Sequence, residues 1–121
     1  MFKRREKVQF DRWGRFRLPV GFLKNCIKEY GDEVFITTTY DRTLQIYPLV
    51  AWLVRVEKLL KEKKRDPLLG LFLMKANYNG QVARLDRFGR VQIPGLLRKR
   101  IKLEGVINVE EREGHLELKP A

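Results

Sequence analysis

Asp11, Gly14 and Arg15 stand in the stretch FDRWGRFRLP (10–19). Asp86, Gly89 and Arg90 stand at the same spacing in LDRFGRVQIP (85–94). An aspartate three residues before a glycine can accept backbone N–H groups across a tight turn, while the glycine takes a positive φ. The arginine that follows emerges beside the carboxylate, so an Asp–Arg pair can hold the guanidinium in one orientation. An oriented guanidinium is a reader of guanine, because its fork matches O6 and N7 in the major groove. The plainer alternative is that Arg15 and Arg90 only brace their aspartates. Trp13 and Phe88, at the tips of the two turns, either wedge against a ligand or pack to hold the turn; packing is the expectation.

Charge is distributed in a way that favours a polyanionic partner. The net charge is +11, which invites nucleic-acid binding but also fits a merely soluble surface. Residues 1–28 carry nine basic side chains against two acidic ones, and residues 84–102 carry seven against one. Residues 29–54 have one against four, and residues 103–121 two against five. The two positive blocks contain the repeated peptide, an ordering that solubility alone does not require. Basic residues outside the turns, such as Arg5, Lys24 and Lys99, are expected to act on phosphates or through the long-range field.

The elements that must position these residues are also written twice. Pro19 opens a helical pattern, Phe22-Leu23-Cys26-Ile27, that closes at Gly31. Pro94 opens Leu96-Leu97-Ile101, with Gly105 just beyond. Proline at a helix start and glycine past its end are the expected punctuation. EVFITTTY (33–40) then answers GVINVEER (105–112), and DRTLQIYP (41–48) answers EGHLELKP (113–120). Alternation such as Leu44-Gln45-Ile46 and Leu116-Glu117-Leu118 suits half-buried hairpin strands. Each copy therefore reads strand, turn, strand, helix, hairpin. The offset between copies slips from 75 to 72, so the first helix is expected to be about three residues longer.

Between the copies, apolar residues at 49, 52, 53, 56, 59 and 60 predict an amphipathic helix over Pro48–Lys64, ended by Asp66-Pro67. The charged run 61–66 reads as a solvated helix end. LLGLFLMKA (68–76) is apolar nearly all round, which suits either a buried helix or burial against another subunit. NYNG (77–80) reads as a turn into the second copy. The expected fold class is α+β, mainly β, in one domain: repeat one 1–48, a helical insert 49–80 and repeat two 81–121.

Other chemistries find little support. Cys26 is the single cysteine and lies in an apolar helical pattern, so core packing is expected of it, with no intrachain disulfide and a reducing compartment. His115, the single histidine, is expected at a turn or the surface, away from Cys26. No nucleophile has a histidine nearby, no Gly-rich phosphate loop occurs and no metal-ligand spacing is present, so no enzyme, metal or cofactor is expected. The basic start at Met1 to Arg5 is followed by no apolar run, and Leu68–Met74 falls far short of the ~20 residues of a membrane span. A soluble, cytoplasmic protein without a small-molecule substrate is expected.

DRWGRFRLP and DRFGRVQIP, each followed by a short helix and a hairpin, resemble the AbrB-type swapped-hairpin element. Two such elements in one chain, joined by a helical middle and beginning MF, resemble the MraZ family of bacterial transcriptional regulators. The resemblance covers nearly the whole chain. It implies pseudo-twofold pairing of the repeats into a swapped-hairpin barrel, and a ring-shaped homo-oligomer, commonly an octamer. It also implies a nucleoid-associated regulator of the division and cell-wall gene cluster, including its own promoter, that binds short direct repeats in double-stranded DNA. Asp11, Arg15, Asp86 and Arg90 match the family motif, and Arg12 and Arg87 occupy its variable positions. Trp13 stands where a lysine or other polar residue is more usual. On this reading Arg12, Arg15, Arg17, Arg87 and Arg90 contact DNA, while Asp11, Gly14, Asp86 and Gly89 organise the turns. Two alternatives are an AbrB-like antitoxin, which would usually carry one element and a toxin-binding tail, and a basic RNA- or ribosome-associated β protein. The RNA reading calls for aromatics displayed on strands for stacking, whereas here they gather at turns and in helical patterns.

Overall fold

Proline sets both short helices. Pro19 and Pro94 cap them with φ of −52° and −54°, one residue ahead of α1 (Val20–Glu29) and α4 (Gly95–Arg100). A residue fixed at that φ and lacking an N–H suits a helix start, where the donor would be unpaired anyway. The first helix ends as Tyr30 and Gly31 both donate to the Cys26 carbonyl, with Gly31 at a φ of +101°. The second stops after six residues against ten, a difference of four where about three was expected.

The computed structural model describes residues 5–40, 42–62 and 66–121. The basic start at Met1 to Arg4, and part of the charged run 61–66, lie outside the described residues. Strands β1 (Arg5–Gln9), β2 (Arg15–Arg17), β3 (Glu33–Tyr40) and β4 (Thr43–Pro48) belong to the first copy. They are matched by β5 (Gln81–Arg84), β6 (Arg90–Gln92), β7 (Val106–Arg112) and β8 (His115–Pro120) in the second. Helices α2 (Leu49–Glu62) and α3 (Pro67–Asn79) lie between them. The class is α+β and mainly β.

Strand pairing interlocks the copies. A six-stranded antiparallel sheet runs β1-β7-β8-β4-β3-β5, and a two-stranded one pairs β2 with β6. The opening strand of each copy joins the hairpin of the other: β1 pairs with β7, and β5 with β3. Read from either end, the strand order is the same in equivalent elements. Gln45 opposite Glu117 marks the centre of the large sheet, and Phe16 opposite Val91 the centre of the small one.

One hydrophobic cluster draws on both copies. Phe16 and Val91 of the small sheet, with Leu18 and Ile93 just past its strands, meet Ile36, Leu44, Ile46, Ile107, Leu116 and Leu118 from the large one. Phe22 and Cys26 of α1 and Leu97 of α4 close its flanks. Burying each large aliphatic chain is worth roughly 1.5–3 kcal/mol, so most of the favourable energy is shared between the copies. Cys26 packs as expected, its thiol 3.6 Å from the Gly31 carbonyl, and burial pushes its pKa up.

A second cluster holds the two middle helices. Trp52 of α2 stacks on Phe35 with ring centroids 4.8 Å apart and leans on Tyr47, while Ala76 of α3 packs alongside. Asp66 caps α3 by accepting the Leu68 N–H at 3.0 Å. In the apolar segment 68–76, Leu73 and Ala76 are buried, but Leu68, Leu71 and Met74 are exposed. Among the described residues, no helix is long and apolar enough to cross a membrane.

Three local expectations are corrected. Pro48 ends β4 instead of opening the next helix, because it pairs with Val34. Asn77, Tyr78 and Asn79 form the last turn of α3, not a turn into the second copy. There the Thr37 hydroxyl donates to the Ala76 carbonyl (2.6 Å) and the Asn79 amide to the Thr38 carbonyl (3.1 Å), tying the helix end to β3. His115 is the first residue of β8, mostly covered, stacked on Tyr47 at 4.6 Å and 3.3 Å from Glu117. In these places tertiary contacts override local turn preference.

Candidate nucleic-acid interface

The two Asp-x-x-Gly-Arg turns share one geometry. Asp11 Oδ1 accepts the N–H groups of Trp13 and Arg15, both at 2.9 Å, and its Oδ2 accepts Arg15 Nε at 2.8 Å. Asp86 does the same for Phe88, Arg90 and the Arg90 Nε, at the same three distances. Gly14 and Gly89 donate back to their aspartate carbonyls at 3.0 Å, with φ of +78° and +75°. Burial pushes each carboxyl up, but backbone and guanidinium hydrogen bonds from Arg15 or Arg90, and the N–H of Trp13 or Phe88, outweigh it. Both carboxyls rest below their ordinary value. They stay ionised and keep their arginines paired.

The pairing uses only the Nε edge of each guanidinium. Among the described residues no hydrogen bond joins the terminal nitrogens of Arg15 or Arg90 to a protein acceptor, and the two side chains keep 28% and 32% of their surface exposed, so each arginine is braced at Nε with its tip unpaired. The aromatic residue at each tip adds a second brace. Trp13 lies under Arg12 at 4.0 Å and under Arg15 at 4.8 Å. Phe88 lies under Arg87 at 4.8 Å and Arg90 at 5.1 Å. Both rings are about half exposed, at 51% and 53%. They pack against guanidinium planes and not into the core, where cation–π attraction at exposed sites is worth about 0.5–1 kcal/mol.

Strands β2 and β6 bring the two turns together. Arg15 faces Gln92, Phe16 faces Val91 and Arg17 faces Arg90. Because side chains alternate along a strand, Phe16 and Val91 point into the core while Arg15, Arg17, Arg90 and Gln92 share the outer face. The ribbon is closed at both ends by symmetric bonds: Leu18 N–H donates to Gly89 O, and Ile93 N–H to Gly14 O, each at 3.0 Å. All five arginines expected at the site, together with both aspartates and both glycines, are therefore gathered on one ribbon and its two turns.

Two further residues belong to this surface. Gln92 Nε2 donates to the Trp13 carbonyl at 3.1 Å, linking the second strand to the first turn. Arg98 of α4 donates from Nε to the Ile93 carbonyl at 3.1 Å and lies against Gly14. Gln92 is legible in the sequence as the counterpart of Arg17. The position of Arg98 carries no local signal, since it depends on how the copies interlock.

Comparison with known proteins bears on the whole chain. It is 32% identical to the transcriptional regulator MraZ of Acidobacterium capsulatum, across 98% of this chain and 81% of that protein. It is 30% identical to that of Koribacter versatilis across 90% and 75%, respectively. The chain belongs to the MraZ family. The MraZ regulator of Neisseria meningitidis is 29% identical across 98% of this chain and 79% of its own length. No family model matches. The match to the Acidobacterium MraZ spans 118 residues, so both turns and the ribbon between them lie within it.

Proposed function

We propose that this MraZ-family chain is a transcriptional regulator that binds double-stranded DNA in a sequence-specific way, laying its β2–β6 ribbon into the major groove. The observation that carries this reading is the pair of aspartate-braced arginines, Arg15 and Arg90, held by Nε with their terminal nitrogens unpaired among the described residues, on one outward ribbon face. A two-stranded ribbon fits the major groove, where a guanidinium pairs with guanine O6 and N7. Successive outward side chains on a strand are about 6.8 Å apart, or two base-pair steps of roughly 3.4 Å. Arg12 and Arg87 at the tips, and Arg17 on the ribbon, complete the contact set with phosphates or bases.

One ribbon reads only a few base pairs, so tight binding needs several at once. Exposed apolar side chains on the middle helices, among them Leu53, Val54, Leu68, Leu71 and Met74, support a homo-oligomer. An oligomer with ribbons at fixed spacing would engage short direct repeats upstream of its own operon, in the division and cell-wall gene cluster. Linked sites gain about 10²–10⁴-fold in affinity when geometry lets both engage. Footprinting on that promoter region tests the reading. Protection should cover several boxes near one helical turn apart, and Arg15→Ala or Arg90→Ala should abolish it. Protection unchanged in both variants would remove the ribbon from the site.

A further inference from the structure

The ribbon is symmetric in backbone but not in the side chains it presents. Arg15 and Arg90 occupy equivalent positions, as do their aspartates, their glycines and the closing bonds from Leu18 and Ile93. One equivalent pair on the outer face differs: Arg17 in the first copy and Gln92 in the second. The two also sit differently. Gln92 is anchored to the Trp13 carbonyl through its Nε2. Arg17, its counterpart, makes no hydrogen bond or ion pair among the described residues.

Anchoring matters because it fixes which way the amide points. Only the –NH₂ end of a glutamine can meet a carbonyl oxygen, so Nε2 is turned to Trp13 and Oε1 away from it. One N–H and the Oε1 acceptor are left on an exposed side chain, side by side. That donor–acceptor pair is the complement of adenine N6 and N7, as the guanidinium fork is the complement of guanine. We infer that Gln92 is an adenine-specifying residue and that its mismatch with Arg17 makes each ribbon read a non-palindromic box in one orientation. The inference rests on the DNA-binding reading above and deepens it. A ribbon with three arginines and one glutamine has a head and a tail, although its backbone does not. Orientation matters for any assembly that must set successive boxes in the same direction.

Selection of boxes from a random duplex pool tests this with three proteins: the unaltered chain, Gln92→Arg and Arg17→Gln. The unaltered chain should enrich a non-palindromic box with an A·T pair in one half. Exchanging that pair for G·C should weaken binding about 5- to 150-fold, the range for one good bidentate contact. Gln92→Arg should enrich a box that reads the same on both strands, with G·C at that position in each half. Arg17→Gln should enrich the matching palindrome with A·T in both halves. Circular dichroism checks that each variant is folded; if Gln92→Arg is not, Gln92→Ala must lose the A·T preference. A palindromic box from the unaltered chain, or an unchanged box from the Gln92 variant, overturns the inference alone. An unaltered chain that binds every duplex equally and enriches no box overturns the DNA-reading function itself, and the inference with it.

Discussion

The guanidinium of Arg98, on the helix of the second copy, lies directly against Gly14 in the turn of the first. Its counterpart is Leu23, which lies against Gly89. Each turn that carries a braced arginine is thus roofed by a helix of the opposite copy. Both glycines are buried at positive φ, so a side chain there meets backbone strain and a neighbour together.

Replacing either glycine should therefore loosen the whole ribbon. Gly14→Ala and Gly89→Ala should each cost roughly 1–2 kcal/mol from the left-handed backbone alone, with displacement of the roof in addition. Urea unfolding reads this as a lowered midpoint. Because Arg98 is the neighbour at Gly14, Arg98→Ala combined with Gly14→Ala should cost less than the two changes added. Strict additivity would mean that Arg98 does not press on the turn.

Acid should act on the turns with a definite sign. Asp11 and Asp86 have lowered pKa values in the folded chain, while an unfolded aspartate titrates near about 3.9. Below that pH the unfolded state takes up protons first, so their stabilisation is complete above about pH 4 and is lost as pH falls through the folded values. Asp86→Asn should be less stable than the unaltered chain at pH 7, and the gap should narrow as pH falls below the ordinary aspartate value and through the lowered folded one. A gap that stayed constant across this range would show that the carboxylate charge is not what holds the turn.

Lys24 and Lys99 occupy equivalent, exposed positions on α1 and α4. As phosphate-neutralising groups they should contribute to every duplex alike. Replacing either by alanine should weaken specific and nonspecific binding together and reduce the salt-dependence slope by about 0.9 for each phosphate left without its lysine. Fluorescence anisotropy over a salt series reads the slope. A weakening confined to the specific site would instead make the lysine a base reader.

Self-association should depend on the outer side of α3. Leu71 and Met74 are 54% and 64% exposed, whereas Leu73 on the same helix is 5% exposed. Leu71→Asp and Met74→Asp should leave circular dichroism unchanged while light scattering falls to the mass of a single chain. Leu73→Asp should unfold the region. A mass unaffected by either exposed change would move the subunit contact elsewhere.

Much of this protein is legible by eye because its decisive motif is local. Asp11 meets Trp13 and Arg15 within four residues, and Asp86 meets Phe88 and Arg90 likewise. The turn, its braced arginine and the proline-started helix after it follow from short-range chemistry, and writing the peptide twice implies two equivalent sites. Tertiary structure decided what lies far apart in sequence. That β1 joins β7 instead of its own hairpin, that Arg15 faces Gln92 across 77 positions, and that Arg98 roofs Gly14 are all matters of strand register and interlocking. Alternation of apolar residues tells a strand which face to bury but not which edge to join. The same limit applies to the middle helices, where contacts with β3 carried α3 through a sequence that locally favours a turn. Local hydrogen bonds made each braced turn; burial of a core common to both copies placed the two turns side by side.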